Sequence, residues 1–194
     1  MRIVVINHVS LDGVMQAPGR ADEDTRDGFE HGGWASAPDP EVGQSMGARM
    51  ADSDGLLLGR RTYEDLLASW NAQGGPFKDA LNKAQKYVAS ATLTEPLPWP
   101  NSTLLAADVV SEVRALQARP GRELQILGSG QLIHTLMAHH LVDELMLIIH
   151  PIVLGRGRRL FADDGTNTTL ELLVAKPTAR GAIVATYRAI GQPS

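Results

Sequence analysis

Residues 124–133 read Leu-Gln-Ile-Leu-Gly-Ser-Gly-Gln-Leu-Ile, an apolar run that passes through two glycines into a helical pattern. Leu124–Leu127 lacks in/out alternation, as expected for a strand covered on both faces. One face of the following helix is then formed by Leu132, Ile133, Leu136 and Met137. This order of strand, glycine turn and helix predicts one βα unit of a largely parallel sheet.

Similar units lie on both sides of this stretch. Further strands are predicted at Ile3–Ile6, Leu56–Leu58, Tyr87–Ala89 and Leu145–Leu154. Helical spacing occurs at Tyr63, Leu66, Leu67 and Trp70, and again at Val109, Val113 and Leu116. Another helix is expected to begin at Asp39-Pro40, with Asp39 as N-cap, and to carry inward Val42, Met46 and Met50.

The end of the chain has a different pattern. Leu170–Ala175 and Ala182–Ala189 are strand-like runs with no helix between them, which predicts a C-terminal antiparallel hairpin. The fold class is therefore α/β, with a mixed, mostly parallel sheet flanked by helices. We expect a single domain over residues 1–190 and a flexible tail at 191–194.

Composition excludes several classes of function. The chain has 194 residues and a formal net charge of −4, without the basic cluster that nucleic acid requires. It has no cysteine, so there is neither a disulfide nor a thiolate nucleophile. The histidines have no metal-ligand spacing, and no metal site is expected. The absence of a signal peptide or a long apolar segment predicts a cytoplasmic protein without membrane contact.

Two strand-to-helix turns are candidate anion sites. Gly128-Ser129-Gly130 resembles part of a dinucleotide fingerprint, but Ile133 stands in place of its third glycine, and a plain turn is an equal reading. Residues 59–64, Gly-Arg-Arg-Thr-Tyr-Glu, put two cations at a helix start, which suits a phosphate or is simply solvated. Two such turns in one sheet favour a dinucleotide.

The segment after the first strand supplies a carboxylate at the same rim. Asp12 is either a substrate-orienting or proton-relaying group, or a turn aspartate before Gly13. The acidic residues from Asp22 to Glu30 are interpreted as solvated. Trp34, Met46 and Met50 either line an apolar wall or belong to the core, and His8 and His150 are placed within strands.

These motifs resemble the dihydrofolate-reductase-like superfamily, most closely the reductase domain of the bifunctional deaminase-reductase of riboflavin synthesis, in a stand-alone form. Four segments carry the resemblance: Ser10–Gly13, Gly59–Glu64, Gly128–Gly130, and Leu141–Leu145 leading to Pro151–Gly155 with Gly157 and Arg159–Phe161 beyond. The resemblance implies a three-layer fold with an eight-stranded mixed sheet, NADPH as cofactor, a small-molecule substrate and a homodimer.

The resemblance also implies roles for individual residues. Gly59, Arg60 and Thr62 would hold the adenosine-side phosphates, and Ser90 the 2′-phosphate or ribose. The pyrophosphate would be cradled by Gly128, Ser129, Gly130, Gln131 and Leu132. Val14 would lie near the nicotinamide, and Asp12 is the expected catalytic residue.

Three departures from the family pattern bear on function. Ala91 stands where many relatives carry Arg, so a contact to the 2′-phosphate is missing. Ser129 replaces one of the family's paired glycines, and a cis peptide there would cost ~3 kcal/mol more with serine. The acidic residue that folate enzymes carry in the first long helix has no counterpart, since Glu41 lies at the very start of that helix, which argues against folate reduction. The leading hypothesis is an NADPH-dependent reductase of a pterin-, pyrimidine-, carbonyl- or imine-type compound. The alternatives are 5-amino-6-(5-phosphoribosylamino)uracil reductase, with Arg156, Arg158 and Arg159 for the substrate phosphate, and a non-catalytic nucleotide-binding or sensor protein.

Overall fold

The computed structural model describes residues 1–161, 163 and 167–190, and in them one eight-stranded sheet with the order β4-β3-β2-β5-β1-β6-β8-β7. The strands are β1 (Arg2–Ser10), β2 (Gly55–Gly59), β3 (Lys86–Ala89), β4 (Ser102–Leu105), β5 (Glu123–Leu127), β6 (Glu144–His150), β7 (Thr169–Pro177) and β8 (Ile183–Ile190). The first six run parallel, whereas β8 is antiparallel to both β6 and β7. The predicted mixed sheet with its C-terminal hairpin is confirmed.

Helices cover both faces of the sheet. They are α1 (Pro40–Ala51), α2 (Arg60–Gln73), α3 (Pro76–Lys83), α4 (Val109–Gln117) and α5 (Gly130–Ala138). One face packs against α4 and α5 through residues such as Val113 and Leu136, and the other packs against α1, α2 and α3 through residues such as Val42 and Leu67. Apolar burial on both faces explains why the strands lack alternation.

The structure also differs from the sequence-based expectations. β6 ends at His150 and not at Leu154, because Pro151 has no N–H to continue the ladder. Helix α3 was not predicted, although Gly75-Pro76 is a typical helix start. The predicted flexible tail at 191–194 lies outside the described residues. Among the helices described, none has the length and apolarity needed to cross a membrane.

The strand order creates a crevice between β2 and β5. From β2 the chain proceeds through α2 to β3, whereas from β5 it proceeds through α5 past β1 to β6, in the opposite direction across the sheet. Ligands of open α/β sheets bind at such a reversal, beyond the carboxyl ends of the strands. Both glycine turns identified from sequence lie at this point.

Candidate functional site

Direct hydrogen bonds join the two glycine turns. The Gly59 amide donates to Ser129 Oγ at 3.0 Å, and the Ser129 amide donates to Thr62 Oγ1 at 2.9 Å. Asn7 of β1 secures the same turn from the other side, because its Oδ1 accepts from the Gly128 amide at 2.8 Å. Segments far apart in sequence thus form one continuous surface across β2, β5 and β1.

The backbone of the second turn is left-handed at two consecutive residues. Gly128 has φ 56° and Ser129 has φ 53°, a conformation that glycine adopts freely and serine rarely. A side chain at Gly128 would also place its Cβ in tight contact with Thr62, 3.2 Å from Oγ1. The cis peptide expected at this pair is not found, since the one cis bond of the described residues is Glu95–Pro96.

The helices that leave these turns begin without side-chain caps. Gly59 and Ser129 are the N-cap residues of α2 and α5, and neither makes a capping bond. By contrast, Asp39 and Asp108 cap α1 and α4. First-turn amides have no partner within a helix, so those of α2 and α5 remain available to an anion.

The cations at the start of α2 are accessible. Arg60 makes an ion pair of 3.3 Å with Glu64, one helical turn away, in which both side chains are about two-fifths exposed. Such exposed pairs contribute little, and a phosphate can displace the carboxylate. Arg61 is exposed and has no ion pair with any described residue.

The other residues predicted to hold the cofactor differ in what they can offer. Ser90 Oγ accepts from the Thr92 and Leu93 amides, so its hydroxyl closes the turn after β3. Gln131 is exposed beside the turn, whereas the Leu132 side chain is 7% exposed and belongs to the core. Leu132 therefore has only its backbone to contribute.

The structure places the Val14 side chain in the core. It is fully buried with Ala17 and Phe29, its N–H donates to Ser10 Oγ, and its carbonyl accepts from the Ser10 amide. The second lone pair of this carbonyl is what Val14 can offer a nicotinamide, and its position near that ring stays a prediction. The next residue, Met15, does contact the second turn. Its Sδ packs against Gly130, where a Cβ would lie only 3.0 Å away.

Asp12 lies at the carboxyl edge of β1 and is held by four groups. Oδ1 accepts from Ser10 Oγ at 2.7 Å and from the Leu154 amide at 3.1 Å, and Oδ2 accepts from the Gly155 amide at 2.9 Å, with Arg159 3.6 Å away. The Ser10 hydrogen bond, followed by that from the Leu154 amide, lowers the pKa of Asp12 to about 2. A carboxylate of this kind positions the 151–155 loop, and it is a poor proton donor.

The three arginines after β6 are held by the segment that follows β1. Arg156 Nη2 donates to the Asp27 carbonyl, Arg158 pairs with the Asp27 carboxylate at 2.8 Å, and Arg159 donates to the Asp12 carbonyl. The acidic segment interpreted as solvated is thus partly ion-paired.

Sequence reasoning did not bring His8 and His150 together. His8 Nδ1 lies 2.8 Å from His150 Nε2, with the ring centroids 5.1 Å apart. Burial first, and the neighbouring His150 second, lower the pKa of His8 to about 4, and burial lowers the pKa of His150 against the opposing charge of Asp39. The sequence indicated that both histidines lie within strands. It could not show that these two strands are neighbours in the sheet, and the contact was therefore missed.

Trp34 completes this corner of the site. Its ring packs edge-on against His150 with the centroids 5.4 Å apart, and its Nε1 donates to the Gln16 carbonyl at 2.7 Å. Met46 and Met50, the other proposed wall residues, pack against the core cluster beneath α1.

Comparisons with known proteins identify a family and several similar chains. The family model described as the RibD C-terminal domain matches residues 2–184. The uncharacterized protein YyaP of Bacillus subtilis (strain 168) is 30% identical over 156 residues, which are 77% of this chain and 80% of that protein. A candidate riboflavin biosynthesis protein from Shewanella sp. PV-4 is 26% identical and superposes with a TM-score of 0.76, covering 98% of this chain and all of the other.

More distant structures share the fold. Dihydrofolate reductase from Enterococcus faecalis, solved with NADP(H) and RAB-propyl, is 14% identical with a TM-score of 0.64 and covers 98% of this chain and 97% of its own. A pyrimidine reductase-like protein from Corynebacterium diphtheriae is also 14% identical, with a TM-score of 0.60, and covers 98% of this chain and 92% of its own. The resemblance to the dihydrofolate-reductase-like superfamily is thereby confirmed for the fold.

Proposed function

The chain belongs to the RibD C-terminal domain family, and we propose that it is a reductase that transfers a hydride from NADPH to a small acceptor. The acceptor is a pterin- or pyrimidine-like heterocycle, or another carbonyl or imine compound. The family and the fold support a reductase of the riboflavin and folate type. The finer statement, NADPH and this class of acceptor, rests on the site.

One observation carries the proposal: two uncapped helix starts meet at the β2–β5 crevice and are bonded to each other through Ser129. A dinucleotide carries phosphates at separate positions. Two adjacent anion sites therefore suit a dinucleotide better than they suit a ligand with a single phosphate. The absence of a side chain at Gly128 lets the two turns approach each other, because a Cβ there would lie 3.2 Å from Thr62 Oγ1.

The residues divide into two groups in this proposal. Gly59, Arg60, Thr62 and Ser90 hold the adenosine-side phosphates, with the Arg60 guanidinium released from Glu64 as the principal cation. The pyrophosphate is held at the second turn, Gly128, Ser129, Gly130, Gln131 and Leu132. The donors there are the first-turn amides of Gly130, Gln131 and Leu132, because those of Gly128 and Ser129 donate to Asn7 Oδ1 and Thr62 Oγ1. The Ser129 hydroxyl and Thr62 Oγ1 keep the two turns in register, because both are engaged in the bonds between them.

The protein's part in the reaction is positioning and exclusion of water. When bound, the reduced nicotinamide supplies the hydride, and the chain must hold the acceptor against it. Asp12 fixes the 151–155 loop at the rim of this space, and Met15 closes over Gly130. Trp34 provides an apolar wall, which favours a planar acceptor.

The experiment is a thermal-shift titration of the whole chain with NADPH, NADP⁺, NADH and NAD⁺. A ligand at one hundred times its dissociation constant stabilises by roughly 2.7 kcal/mol. We expect NADPH to raise the Tm of the wild type and Arg60→Ala to lose most of that increase. Arg61→Ala is the matched control. It removes the neighbouring arginine, which has no ion pair with any described residue, and keeps Arg60 in place. No shift with any nucleotide would refute the proposal.

Turnover separates an enzyme from a nucleotide sensor. NADPH oxidation, followed at 340 nm with a panel of pterins, aminopyrimidinones and cyclic imines, identifies the acceptor class. Binding of NADPH without oxidation by any member of the panel would favour the sensor.

A narrower candidate is 5-amino-6-(5-phosphoribosylamino)uracil reductase, favoured by the similarity to the Shewanella protein. Its substrate carries a phosphate. From the sequence, three arginines are assigned to that phosphate, namely Arg156, Arg158 and Arg159. All three are bonded to Asp12 or Asp27, so a substrate phosphate has to displace a carboxylate or carbonyl. Comparing turnover of the phosphorylated and dephosphorylated substrate, in wild type and Arg158→Ala, tests this candidate directly.

A further inference from the structure

The His8–His150 pair has no part in the fold's ion pairs or in the cofactor turns, and its geometry has a chemical consequence. Two imidazoles joined Nδ1 to Nε2 at 2.8 Å share one proton between those nitrogens. When both rings are neutral, the outer nitrogens, His8 Nε2 and His150 Nδ1, must therefore be opposite in kind. One is an N–H donor and the other is a bare acceptor.

The outer nitrogens are open. Neither bonds to another residue in the described part of the chain. Neither is among the buried polar atoms that lack a partner there, which are Glu112 Oε2, Gln125 Oε1 and Thr168 Oγ1. Both rings are partly exposed, so their outer nitrogens reach solvent or a ligand.

The pair lies at the same carboxyl edge of the sheet as the two glycine turns. Asn7 bonds Gly128, and His8, the next residue of β1, points to the opposite face of the sheet, the one that α1 covers. His150 is the last residue of β6 and is paired in register with Ser10, which bonds Asp12. Trp34 packs edge-on against His150, with the ring centroids 5.4 Å apart. The pair thus lies where β1 and β6 open toward the space for the acceptor.

We propose that His8 and His150 form a neutral proton relay that supplies the proton accompanying hydride transfer. This rests on the proposed function. As the acceptor carbon of a C=N or C=O group receives the hydride from the reduced nicotinamide, its π electron pair moves to the nitrogen or oxygen. That atom takes the proton of the outer N–H, the shared proton shifts along the pair, and the other outer nitrogen takes a proton from a solvent water, which leaves as hydroxide. Proton exchange with solvent restores the first tautomer before the next turnover.

Each step balances, and both rings end neutral in the opposite tautomer. The lowered pKa values of His8 and His150 mean that few imidazolium ions form at neutral pH. The relay is compatible with this because it requires no charged ring. The carboxylate of Asp39 is the charged group facing His150, and it is engaged by Thr178 Oγ1 and by the amides at the start of α1.

The test uses two variants that keep the inner bond and remove the relay. His8→Asn places an amide nitrogen near the position of Nδ1, and His150→Gln places one near that of Nε2, but neither amide has a second ring nitrogen. The control is His139→Asn, at an exposed histidine beyond α5. Each protein is assayed with NADPH and the best acceptor of the panel, in H₂O and D₂O, alongside NADPH binding.

General acid catalysis contributes about 10²–10⁴-fold, so kcat of both variants is expected to fall about 100-fold. The NADPH dissociation constant should stay unchanged, and the solvent isotope effect on kcat should increase. His139→Asn should match the wild type. A residue that merely supports the fold would not change the isotope effect.

Nitrogen NMR of histidine-labelled wild type tests the premise without any substrate. We expect one protonated and one bare nitrogen on each of the two rings at pH 7. An imidazolium at either position would overturn the relay, as would unchanged kcat in both variants. If the wild type does not bind NADPH, or reduces no acceptor of the panel, the proposed function is refuted, and the relay with it.

Discussion

The Gly59 amide donates a 3.0 Å hydrogen bond to the Ser129 hydroxyl, joining two turns that are 70 positions apart in sequence. Ser129 holds this bond at φ 53°, where a residue with a Cβ is disfavoured by roughly 1 kcal/mol or more. The Ser129 side chain therefore costs free energy in its local backbone conformation, but its hydroxyl joins the two turns of the site.

Ser129→Ala is expected to reduce the free energy of unfolding by about 1 kcal/mol, the typical contribution of a hydrogen bond, and to weaken NADPH binding. Ser129→Gly loses the same bond but relieves the left-handed backbone, so its unfolding free energy should lie closer to the wild type. Urea unfolding and a binding titration measure both effects. Equal stability of the two variants would show that the backbone conformation carries no cost.

Asp12→Asn should loosen the 151–155 loop. The amide group replaces one acceptor oxygen with a donor, which cannot receive the Leu154 or Gly155 N–H. We expect faster hydrogen exchange at these two amides, with the amides of β5 unchanged.

The same bonds have a defined pH dependence in the wild type. Because the folded pKa of Asp12 is about 2, below its unfolded value, its stabilisation is complete above about pH 4 and is lost as the pH falls toward 2. Protection factors of the Leu154 and Gly155 amides, which correct for the intrinsic pH dependence of exchange, should fall over this range, and constant protection would contradict the assignment.

His8 predicts a loss of stability in the same direction but in a higher pH range. Its folded pKa of about 4 lies below the unfolded value of 6.5, so the unfolded chain binds the proton first and stability falls as the pH decreases from 6.5 toward 4. Between pH 7 and pH 5 this amounts to about 2 kcal/mol. Urea unfolding of His8→Asn at the two pH values should show a loss smaller by that amount. An identical loss in wild type and variant would exclude His8 as its source.

Arg49 should matter for stability and not for the site. At the amino-terminal edge of the sheet it pairs at 2.7 Å with Glu123 and with Glu144, which are 1% and 4% exposed. Arg49→Leu leaves two buried carboxylates short of a partner and should reduce the free energy of unfolding by about 3 kcal/mol.

The control for Arg49 is Arg122→Leu, at an exposed arginine that pairs with Asp52 at 3.3 Å. It should cost less than about 1 kcal/mol. NADPH binding is expected to persist in both proteins at temperatures where they remain folded. A cost as large for Arg122 as for Arg49 would show that burial is not the deciding factor.

The sequence by itself determined the fold class and the location of the two glycine turns. Buried strands reveal themselves as continuous apolar runs, as at Leu124–Leu127, and a glycine at a strand end marks where a helix begins. These signals are local, and so each was readable without knowledge of its neighbours. Asp39 and Pro40 specified the start of α1 in the same way.

Only the tertiary structure decided which of these segments act together. Placing β5 between β1 and β2 brings Ser129 to Gly59 and Thr62, and pairing β1 with β6 brings His8 to His150. The turn after β1 buries Val14 and directs Met15 to the site, a difference of one residue that periodicity does not resolve. Strand order and side-chain direction depend on long-range packing, which no local pattern in the sequence encodes.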